Sequence, residues 1–457
     1  MDDLTSQSAT RLAELIRTRV VSPVEVVAAH LHRIERLNPE LNAIVTLAPD
    51  ALERARAAEV QLMSNGELGT LHGVPVTVKD TIETGGLRST SGSRVREHFI
   101  PRHDATVVAR LKAAGAIVLG KTNTPELAIP YETDNPIFGR TQNPYDQLRT
   151  PGGSSGGEAA AIAAGLSPAG IGSDLSGSIR VPAHFCGIAG LKPTADRVPV
   201  DGHVPSATGP FAGGACIGPM ARRVEDLSLL FKVIARSASA GTTNEQSLRG
   251  MNICWYSSDG VVPVIAEIRG AVKTVAETLR NLGAEISERV PPGIAEGPRL
   301  WVDLYSHASL AQLHEFYRRH EDQAGRAARA LLSSAPALPD EVDAKTGAAP
   351  TKRDGLRREL LRWMESTPII IAPVGSIVAF AHGTRRTEVE GQSISVFRAF
   401  SYCQTCNVFD LPAVTIPVAQ TGEGLPIGVQ IIGRPYEEEL VLMVAAMVER
   451  ELASSVR

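Results

Sequence analysis

The sequence lacks the features that mark several large classes of protein. It contains no run of about 18 apolar residues, so no transmembrane helix is predicted. Its N-terminus is polar and acidic, without the basic start and apolar core of a secretory signal peptide. Lys and Arg number 46 against 50 Asp and Glu, so no excess of positive charge indicates a nucleic-acid partner. We therefore expect a cytoplasmic protein that neither spans a membrane nor binds nucleic acid.

Cysteine is scarce, and its five copies are scattered along the chain. An odd number without a secretory signal favours reduced thiols over a disulfide framework. The Cys-x-x-Cys pair formed by Cys403 and Cys406 has no second pair with which to hold zinc. His314 and His320 are six positions apart, whereas a zinc-binding His-Glu-x-x-His helix needs its histidines at i and i+4. The sequence therefore predicts neither a metal nor an organic cofactor.

The residues that are present suit a large globular protein, with 457 residues of which 43% are hydrophobic and 21% charged. Valines alternate from Val74 to Val78 and predict a strand that ends at Lys79. A predicted helix at Ala105–Ala114 and a second strand at Ala116–Leu119 follow. Strand, helix and strand at this spacing indicate parallel strands joined by a right-handed crossover. Ligands of such sheets bind beyond the carboxyl ends of the strands, which is where Lys79 lies.

The most distinctive stretch runs from Thr150 to Arg180 and contains two serine-rich turns. Glycines surround Ser154 and Ser155 and allow the backbone to take positive φ and to approach other atoms closely. A predicted helix and strand lead to the second turn, at 173–178. A single loop of this kind would most simply be a surface linker. Two such turns together with Lys79 favour an acyl-transfer site, with a serine nucleophile and backbone N–H groups that stabilise an oxyanion.

Two further motifs offer rival interpretations. Residues 115–122 match the phosphate-binding pattern G-x-x-x-x-G-K-T, but the interior of the match is itself a predicted strand, and the pattern requires a loop there. Residues 152–156 match the G-x-S-x-G of Ser-His-Asp hydrolases. That enzyme would use Ser154 with a late histidine, and the last histidine is His382. A Ser-His-Asp hydrolase therefore stays open as an alternative.

Several motifs, taken in order, resemble the amidase signature family. They are VPVTVKD at 74–80, GGSSGG at 152–157, GSDLSGSIRVPA at 172–183 and GLKPT at 190–194. Blocks at 218–227 and 424–433 extend the likeness over nearly the whole chain. The sequence looks closest to the fatty-acid-amide-hydrolase-like branch of that family.

The resemblance implies a catalytic role for three residues. Ser178 would be the acylated nucleophile, and Ser154, which family members hold through a cis peptide, would pass protons between it and Lys79. A lysine base must be neutral near pH 7, although its ordinary pKa is about 10.4. Lowering that pKa to about 7 costs roughly 4 kcal/mol and requires burial or nearby cations. We therefore expect Lys79 to be buried.

The resemblance also implies supporting residues. The oxyanion hole would be formed by backbone N–H groups, those of Leu175, Ser176, Gly177 and Ser178. The family usually has glycine where this chain has Ser176, so the geometry of that turn is open. The residues expected to hold the turn in place are Asp174, Arg180 and Ser155. The residues expected to line the acyl side of the substrate cleft are Leu127, Ala128 and Ile129.

An amidohydrolase is the function that the resemblance implies. It would act on a small-molecule carboxylic amide, or on an aryl anilide, ester or carbamate, as a monomer or homodimer. The same core motifs would also serve the glutamine-hydrolysing subunit of a tRNA amidotransferase, which is a second alternative.

The implied fold class is α/β, a single large domain over 1–457 with a mixed, mostly parallel central sheet covered by helices on both faces. Apolar segments at 367–373, 413–418 and 427–432 predict further strands, and 437–452 predicts a closing helix. The expected parts are a helical outer layer at 1–65, a core with the functional residues at 66–235, a variable excursion at 236–365 and a return to the sheet at 366–457.

Overall fold

The computed structural model describes residues 4–64, 66–236, 247–334 and 347–455. The strands in chain order are β1 Ile44–Leu47, β2 Pro75–Lys79, β3 Ile117–Thr122, β4 Asp134–Asn135, β5 Gly139–Arg140, β6 Ala169–Asp174, β7 Ala189–Lys192, β8 Cys216–Ala221, β9 Asn252–Trp255, β10 Glu285–Glu288, β11 Ile369–Pro373, β12 Arg386–Val389, β13 Gln392–Ser395, β14 Ala413–Gln420 and β15 Pro426–Ile432. The α-helices are α1 Ala9–Arg17, α2 Pro23–Leu41, α3 Ala51–Met63, α4 Thr106–Ala113, α5 Gly156–Ala163, α6 Arg180–Cys186, α7 Val224–Ile234, α8 Ala266–Asn281, α9 Gly297–Trp301, α10 His307–Tyr317, α11 Arg326–Ser334, α12 Ala348–Met364, α13 Val396–Ala399, α14 Ser401–Val408 and α15 Glu438–Ser455. No helix within the described ranges is long and apolar enough to cross a membrane.

A single 11-stranded sheet, flanked by helices, organises the domain in the order β1-β3-β2-β6-β8-β7-β14-β15-β11-β9-β10. Parallel pairing joins β3, β2 and β6 in one block and β11, β9 and β10 in another. The strands between the blocks pair antiparallel, as β1 does with β3 at the edge. The domain is therefore α/β with a mixed sheet, and the predicted crossover from β2 through α4 to β3 lies in a parallel block.

The first parallel block places the two signature segments side by side. β2 and β6 are neighbours, with Val78 opposite Ile171, and every residue of both strands is buried. Parallel strands end at the same edge of a sheet, so Lys79 and Asp174, the last residues of the two strands, lie together there. The predicted meeting of Lys79 with the second serine turn is confirmed in this respect.

The segments outside the signature core contribute more to the sheet than the sequence indicated. β1 lies in the part expected to be a helical layer, yet it closes one edge of the sheet. β9 and β10 lie in the expected excursion, yet they form the other edge. These strands have four residues each, and β10 begins and ends with glutamate because it is an exposed edge strand. Such short, partly polar strands carry little periodic signal.

Helices α9, α10 and α11 of the expected excursion lie beside the serine turns and the loop after β3. α9 packs on α14, and the indole N–H of Trp301 donates to the carbonyl of Leu175 at 2.8 Å. A small apolar cluster of Leu127, Leu313, Tyr317, Ala324 and Ala328 fixes α10 and α11 to the loop after β3. This part of the chain therefore forms one wall of the site.

Candidate active site

Lys79 ends β2 inside the protein, with its side chain fully buried. Its Nζ lies 2.6 Å from Ser154 Oγ and 3.0 Å from Ser173 Oγ. Burial lowers the pKa of Lys79 to about 7, although the negative charges of Asp174 and Glu158 act in the opposite direction. A large fraction of this amine is therefore neutral near pH 7, as a proton acceptor must be.

The loop that carries Ser154 is fixed from several directions. The peptide bond between Gly153 and Ser154 is cis, as the resemblance implied. The carbonyl of Ser154 accepts a hydrogen bond from Thr124 Oγ1 at 2.9 Å. Ser155 joins this loop to the second turn, because its N–H donates to the carbonyl of Ser178 at 3.1 Å and its hydroxyl contacts the backbone of Ser173. The first serine turn is therefore held directly against the second.

Ser154 and Ser178 line the same cavity, whose volume is about 430 Å³. The hydroxyl of Ser178 has no hydrogen-bond partner within the described part of the chain, and the residue is 7% exposed. A serine that lines the same cavity as the hydrogen-bonded partner of a buried lysine is suited to attack an acyl group.

Asp174 organises the turn that leads to Ser178. Its carboxylate accepts from the N–H groups of Gly177 at 2.8 Å and Ile179 at 3.1 Å. It also forms a buried ion pair with Arg180, whose guanidinium donates further to Gln430 and Asn407. Burial raises the pKa of Asp174, but the charge and hydrogen bonds of Arg180 outweigh burial, and the net direction is downward. Asp174 and Arg180 therefore lie where they can hold the turn in place, as expected.

The expected oxyanion hole needs one correction. The N–H of Gly177 was expected to belong to it, but this group donates to Asp174 and closes the turn instead. The N–H groups of Leu175, Ser176 and Ser178 have no partner among the described residues and remain available. Gly177 has φ of 109°, and a Cβ there would lie 2.6 Å from Cys403 Cβ, so the turn requires glycine.

Ser176, the departure from the family pattern, is held in this turn through its backbone. Its hydroxyl has no hydrogen-bond partner in the described ranges. Its carbonyl accepts from the hydroxyl of Tyr131 at 2.5 Å. Tyr131 is in turn contacted by the amide of Gln404 at 3.3 Å. The side chain of Ser176 therefore adds a hydroxyl to the cavity wall while its backbone is held from outside.

The wall of the cavity is largely apolar. Leu127, Ala128 and Ile129, which the family resemblance suggested as lining residues, lie in it. Residues that sequence reasoning missed complete it, namely Phe211, Trp301, Leu310, Leu313, Phe316, Leu331 and Phe397, together with the polar His203. Among the lining residues described, Asp174 is the only Asp, Glu, Lys or Arg, and its carboxylate is engaged by Arg180.

The rival motifs take no part in this site. Lys121 is a buried residue within β3, and its Nζ donates to the carbonyl of Ile82 and to the hydroxyls of Thr84 and Ser89. The G-x-x-x-x-G-K-T match is therefore not a phosphate loop, as predicted. His382 contacts Glu132 at 3.1 Å and Gln142 at 2.9 Å.

Ser154 does not have the surroundings of a Ser-His-Asp nucleophile. It follows a loop, whereas the nucleophile of such enzymes follows a strand. Its hydroxyl is bonded to Lys79, and the late histidine His382 contacts Glu132 and Gln142 instead. The alternative of a Ser-His-Asp hydrolase is therefore wrong.

Comparison with known proteins agrees with this geometry. The amidase family model matches residues 25–442. The chain is 33% identical to one of the subunits of the glutamyl-tRNA(Gln) amidotransferase of Bdellovibrio bacteriovorus, over 98% of this chain and 97% of that protein. It is also 33% identical to an indoleacetamide hydrolase of Bradyrhizobium diazoefficiens, over 97% of this chain and 86% of that protein.

Solved structures give the same result. A bacterial aryl acylamidase of the amidase signature family superimposes with a TM-score of 0.87 at 26% identity, covering 97% of this chain and 96% of the other. A fatty acid amide hydrolase superimposes with a TM-score of 0.80 at 25% identity, covering 99% and 86%. With a buried lysine beside two serine turns, and with a family model that matches most of its length, this chain belongs to the amidase signature family of amide-hydrolysing enzymes.

Proposed function

We propose that this amidase hydrolyses neutral amides with an apolar acyl or aryl group through an acyl-enzyme on Ser178. The observation that carries the proposal is the 2.6 Å contact between Ser154 Oγ and the buried Nζ of Lys79. Amide hydrolysis needs a base that is unprotonated at neutral pH, and burial lowers the pKa of this lysine to about 7.

The proposed relay passes protons from Ser178 through Ser154 to Lys79. Neutral Lys79 takes the proton of Ser154 while Ser154 takes that of Ser178, so that Ser178 Oγ bonds to the amide carbon. The N–H groups of Leu175, Ser176 and Ser178 stabilise the resulting oxyanion. The relay then runs in reverse and protonates the leaving amine as the C–N bond breaks. Water next uses the same relay to attack the ester, which releases the acid and restores Ser178.

The cavity wall favours a neutral acyl group over glutamine. Glutamine brings an ammonium and a carboxylate, and a charge placed in an apolar cavity without a partner is costly. The described wall offers one carboxylate, that of Asp174, and Arg180 and backbone N–H groups already engage it. The aromatic side chains of Trp301, Phe211 and Phe397 suit an aryl or alkyl group. Names of similar proteins, such as indoleacetamide hydrolase and aryl acylamidase, support this substrate class.

The glutamine-hydrolysing component of a tRNA amidotransferase is the second candidate. It is supported by the identity of 33% to a protein that belongs to such an enzyme. The two functions separate in a simple assay of the purified chain, without partner proteins, on indole-3-acetamide, an acyl anilide and L-glutamine. We expect the aryl amides to give kcat/KM at least about 100-fold above glutamine, because each unpaired charge costs binding energy. Preference for glutamine would overturn the assignment.

Covalent labelling tests the nucleophile. A fluorophosphonate probe followed by peptide mapping should place the label on Ser178. Ser178→Ala should lose both label and activity, whereas Ser309→Ala, which removes another hydroxyl from the same cavity wall, should keep both. Label on Ser154 would reverse the proposed roles of the two serines.

A further inference from the structure

Lys79 has a second hydroxyl partner besides Ser154, and this partner is itself in contact with a histidine. Lys79 Nζ lies 3.0 Å from Ser173 Oγ, and Ser173 Oγ lies 2.8 Å from His203 Nε2. The other ring nitrogen of His203, Nδ1, lies 2.7 Å from the carbonyl oxygen of Pro205. The proposed relay gives none of these three contacts a role. Together these contacts connect Pro205, through His203 and Ser173, to the proposed base Lys79.

The contact with Pro205 fixes the tautomer of the ring. A carbonyl oxygen only accepts, so His203 Nδ1 must carry a proton. Burial, with a further contribution from the charge of Lys79, lowers the pKa of His203 to about 4, so the ring is neutral near pH 7. A neutral imidazole has one N–H, so Nε2 is an acceptor. The hydroxyl of Ser173 therefore donates its single proton to His203.

The direction of the Ser173 O–H bond determines where the lone pair of the neutral Lys79 amine points. A neutral amine has two N–H groups and one lone pair. Because the proton of Ser173 is engaged by His203, Ser173 Oγ can only accept an N–H from Lys79. The lone pair of Lys79 is then left for its other neighbour, Ser154 Oγ at 2.6 Å. If the hydroxyl of Ser173 were free to turn, it would donate to that lone pair and compete with Ser154.

We propose that His203 is a positioning residue for amide hydrolysis and that it acts through the Ser173 hydroxyl to keep the Lys79 lone pair directed at Ser154. The proposal rests on the proposed role of Lys79 as the base. His203 comes from the loop between β7 and β8 and also forms part of the cavity wall. Direct contact with substrate is therefore the competing explanation that an experiment must separate.

A double-mutant cycle makes that separation. His203→Phe should lower kcat on a neutral aryl amide about tenfold, the effect of one net hydrogen bond, with KM changed less than about twofold. In a Ser173→Ala background no hydroxyl remains to compete for the lone pair, so His203→Phe should cost less than about twofold further. His203→Gln provides an amide oxygen for Ser173 and an amide N–H for Pro205, and should keep kcat within about threefold of the parent.

The outcomes distinguish failure of this inference from failure of the proposed function. An equal loss from His203→Phe in both backgrounds, or a loss confined to KM, would mean that the ring contacts substrate. No loss from His203→Phe, with Lys79→Met inactive, would overturn the role of His203 alone. Activity in Lys79→Met would overturn the proposed base itself. If His203→Phe does not fold, His203→Asn takes its place in the cycle, because its shorter amide cannot span Pro205 and Ser173.

Discussion

Arg180 and Asp174 form an ion pair that is withdrawn from solvent, with Nη2 3.0 Å from Oδ1 and both side chains 0% exposed. The same carboxylate holds the N–H groups of Gly177 and Ile179 on either side of Ser178. The pair therefore links the stability of the core to the shape of the turn. Removal of one member of a buried pair is costly because the other charge is left without a partner.

Asp174→Asn should accordingly lower the free energy of unfolding by about 3–5 kcal/mol, since Arg180 keeps its charge in the core. Asp134→Asn is the matched control, because its carboxylate lies 3.9 Å from Arg140 with both side chains 39% exposed. Exposed pairs contribute about 0–1 kcal/mol, so little change is expected there. Urea denaturation of both variants measures the difference. Equal losses in the two variants would show that the buried pair contributes no more to the free energy of unfolding than the exposed pair does.

Lys79→Met should be inactive and yet more stable than the parent chain at pH 7. The pKa of Lys79 falls from 10.5 to about 7 on folding, so folding removes a proton that the unfolded chain keeps. The cost is therefore fully present below pH 7, falls as pH rises towards 10.5, and amounts to roughly 4 kcal/mol at neutral pH. The loss of two hydrogen bonds, to Ser154 and Ser173, offsets about 2 kcal/mol of the gain.

Denaturant unfolding at pH 7 and pH 10 checks this sign. The advantage of Lys79→Met over the parent should shrink at the higher pH, because pH 10 approaches the unfolded-state pKa of 10.5 and most of the cost of deprotonation has disappeared there. Lys112→Met is the control, because the Lys112 side chain is 24% exposed and pairs with Asp104 at 2.8 Å. It should show no such gain at pH 7. A parent chain that is more stable than Lys79→Met by a constant amount at both pH values would contradict the burial of a neutral amine.

The Lys79 environment could be predicted from sequence because its determinants are local. A valine-rich strand that ends in lysine, and two serine turns joined by one helix and one strand, fix both the parallel pairing and the edge at which they meet. Short-range patterns of this kind predict local structure without knowledge of the tertiary packing. The contact between Lys79 and Ser154 itself was expected from the resemblance to the amidase signature family.

Beyond Leu127, Ala128 and Ile129, the cavity wall could not be predicted, because it depends on long-range packing. Trp301 and Phe397 come from segments more than 100 residues beyond the serine turns and carry no motif. His203 lies in a Pro- and Gly-rich loop whose path is set by its contacts and not by periodicity. The N–H of Gly177 was misassigned because sequence alone does not show whether Asp174 turns its carboxylate back onto its own turn.

Activity should rise with pH through a midpoint near 7, because the protonated Lys79 cannot accept a proton. Burial raises the pKa of Glu158 to about 7, and the ionised form of this carboxylate, which accepts hydrogen bonds from Thr77 and from Thr122, the latter at 2.7 Å, favours the protonated lysine. Glu158→Gln should therefore move the acidic limb of kcat/KM to lower pH. Glu132→Gln, which removes a carboxylate that contacts His382, should leave the limb in place. A shift to higher pH in Glu158→Gln would contradict the electrostatic argument.

Gly177→Ala tests whether the turn itself limits catalysis. An alanine at φ of 109° is strained, and its Cβ would lie 2.6 Å from Cys403 Cβ in α14, so the turn must move. We expect a loss of about 2–4 kcal/mol in the free energy of unfolding from strain and overpacking together. We also expect kcat to fall about 100-fold, since small displacements of reacting groups have effects of that size.

Gly424→Ala separates backbone strain from overpacking, because Gly424 also has positive φ, at 83°, but no atom lies within 4 Å of an added Cβ. It should cost only the backbone strain, about 1–2 kcal/mol, with kcat unchanged. If both variants lose the same stability and keep the same kcat, close packing of Gly177 against Cys403 is not what holds Ser178 in place.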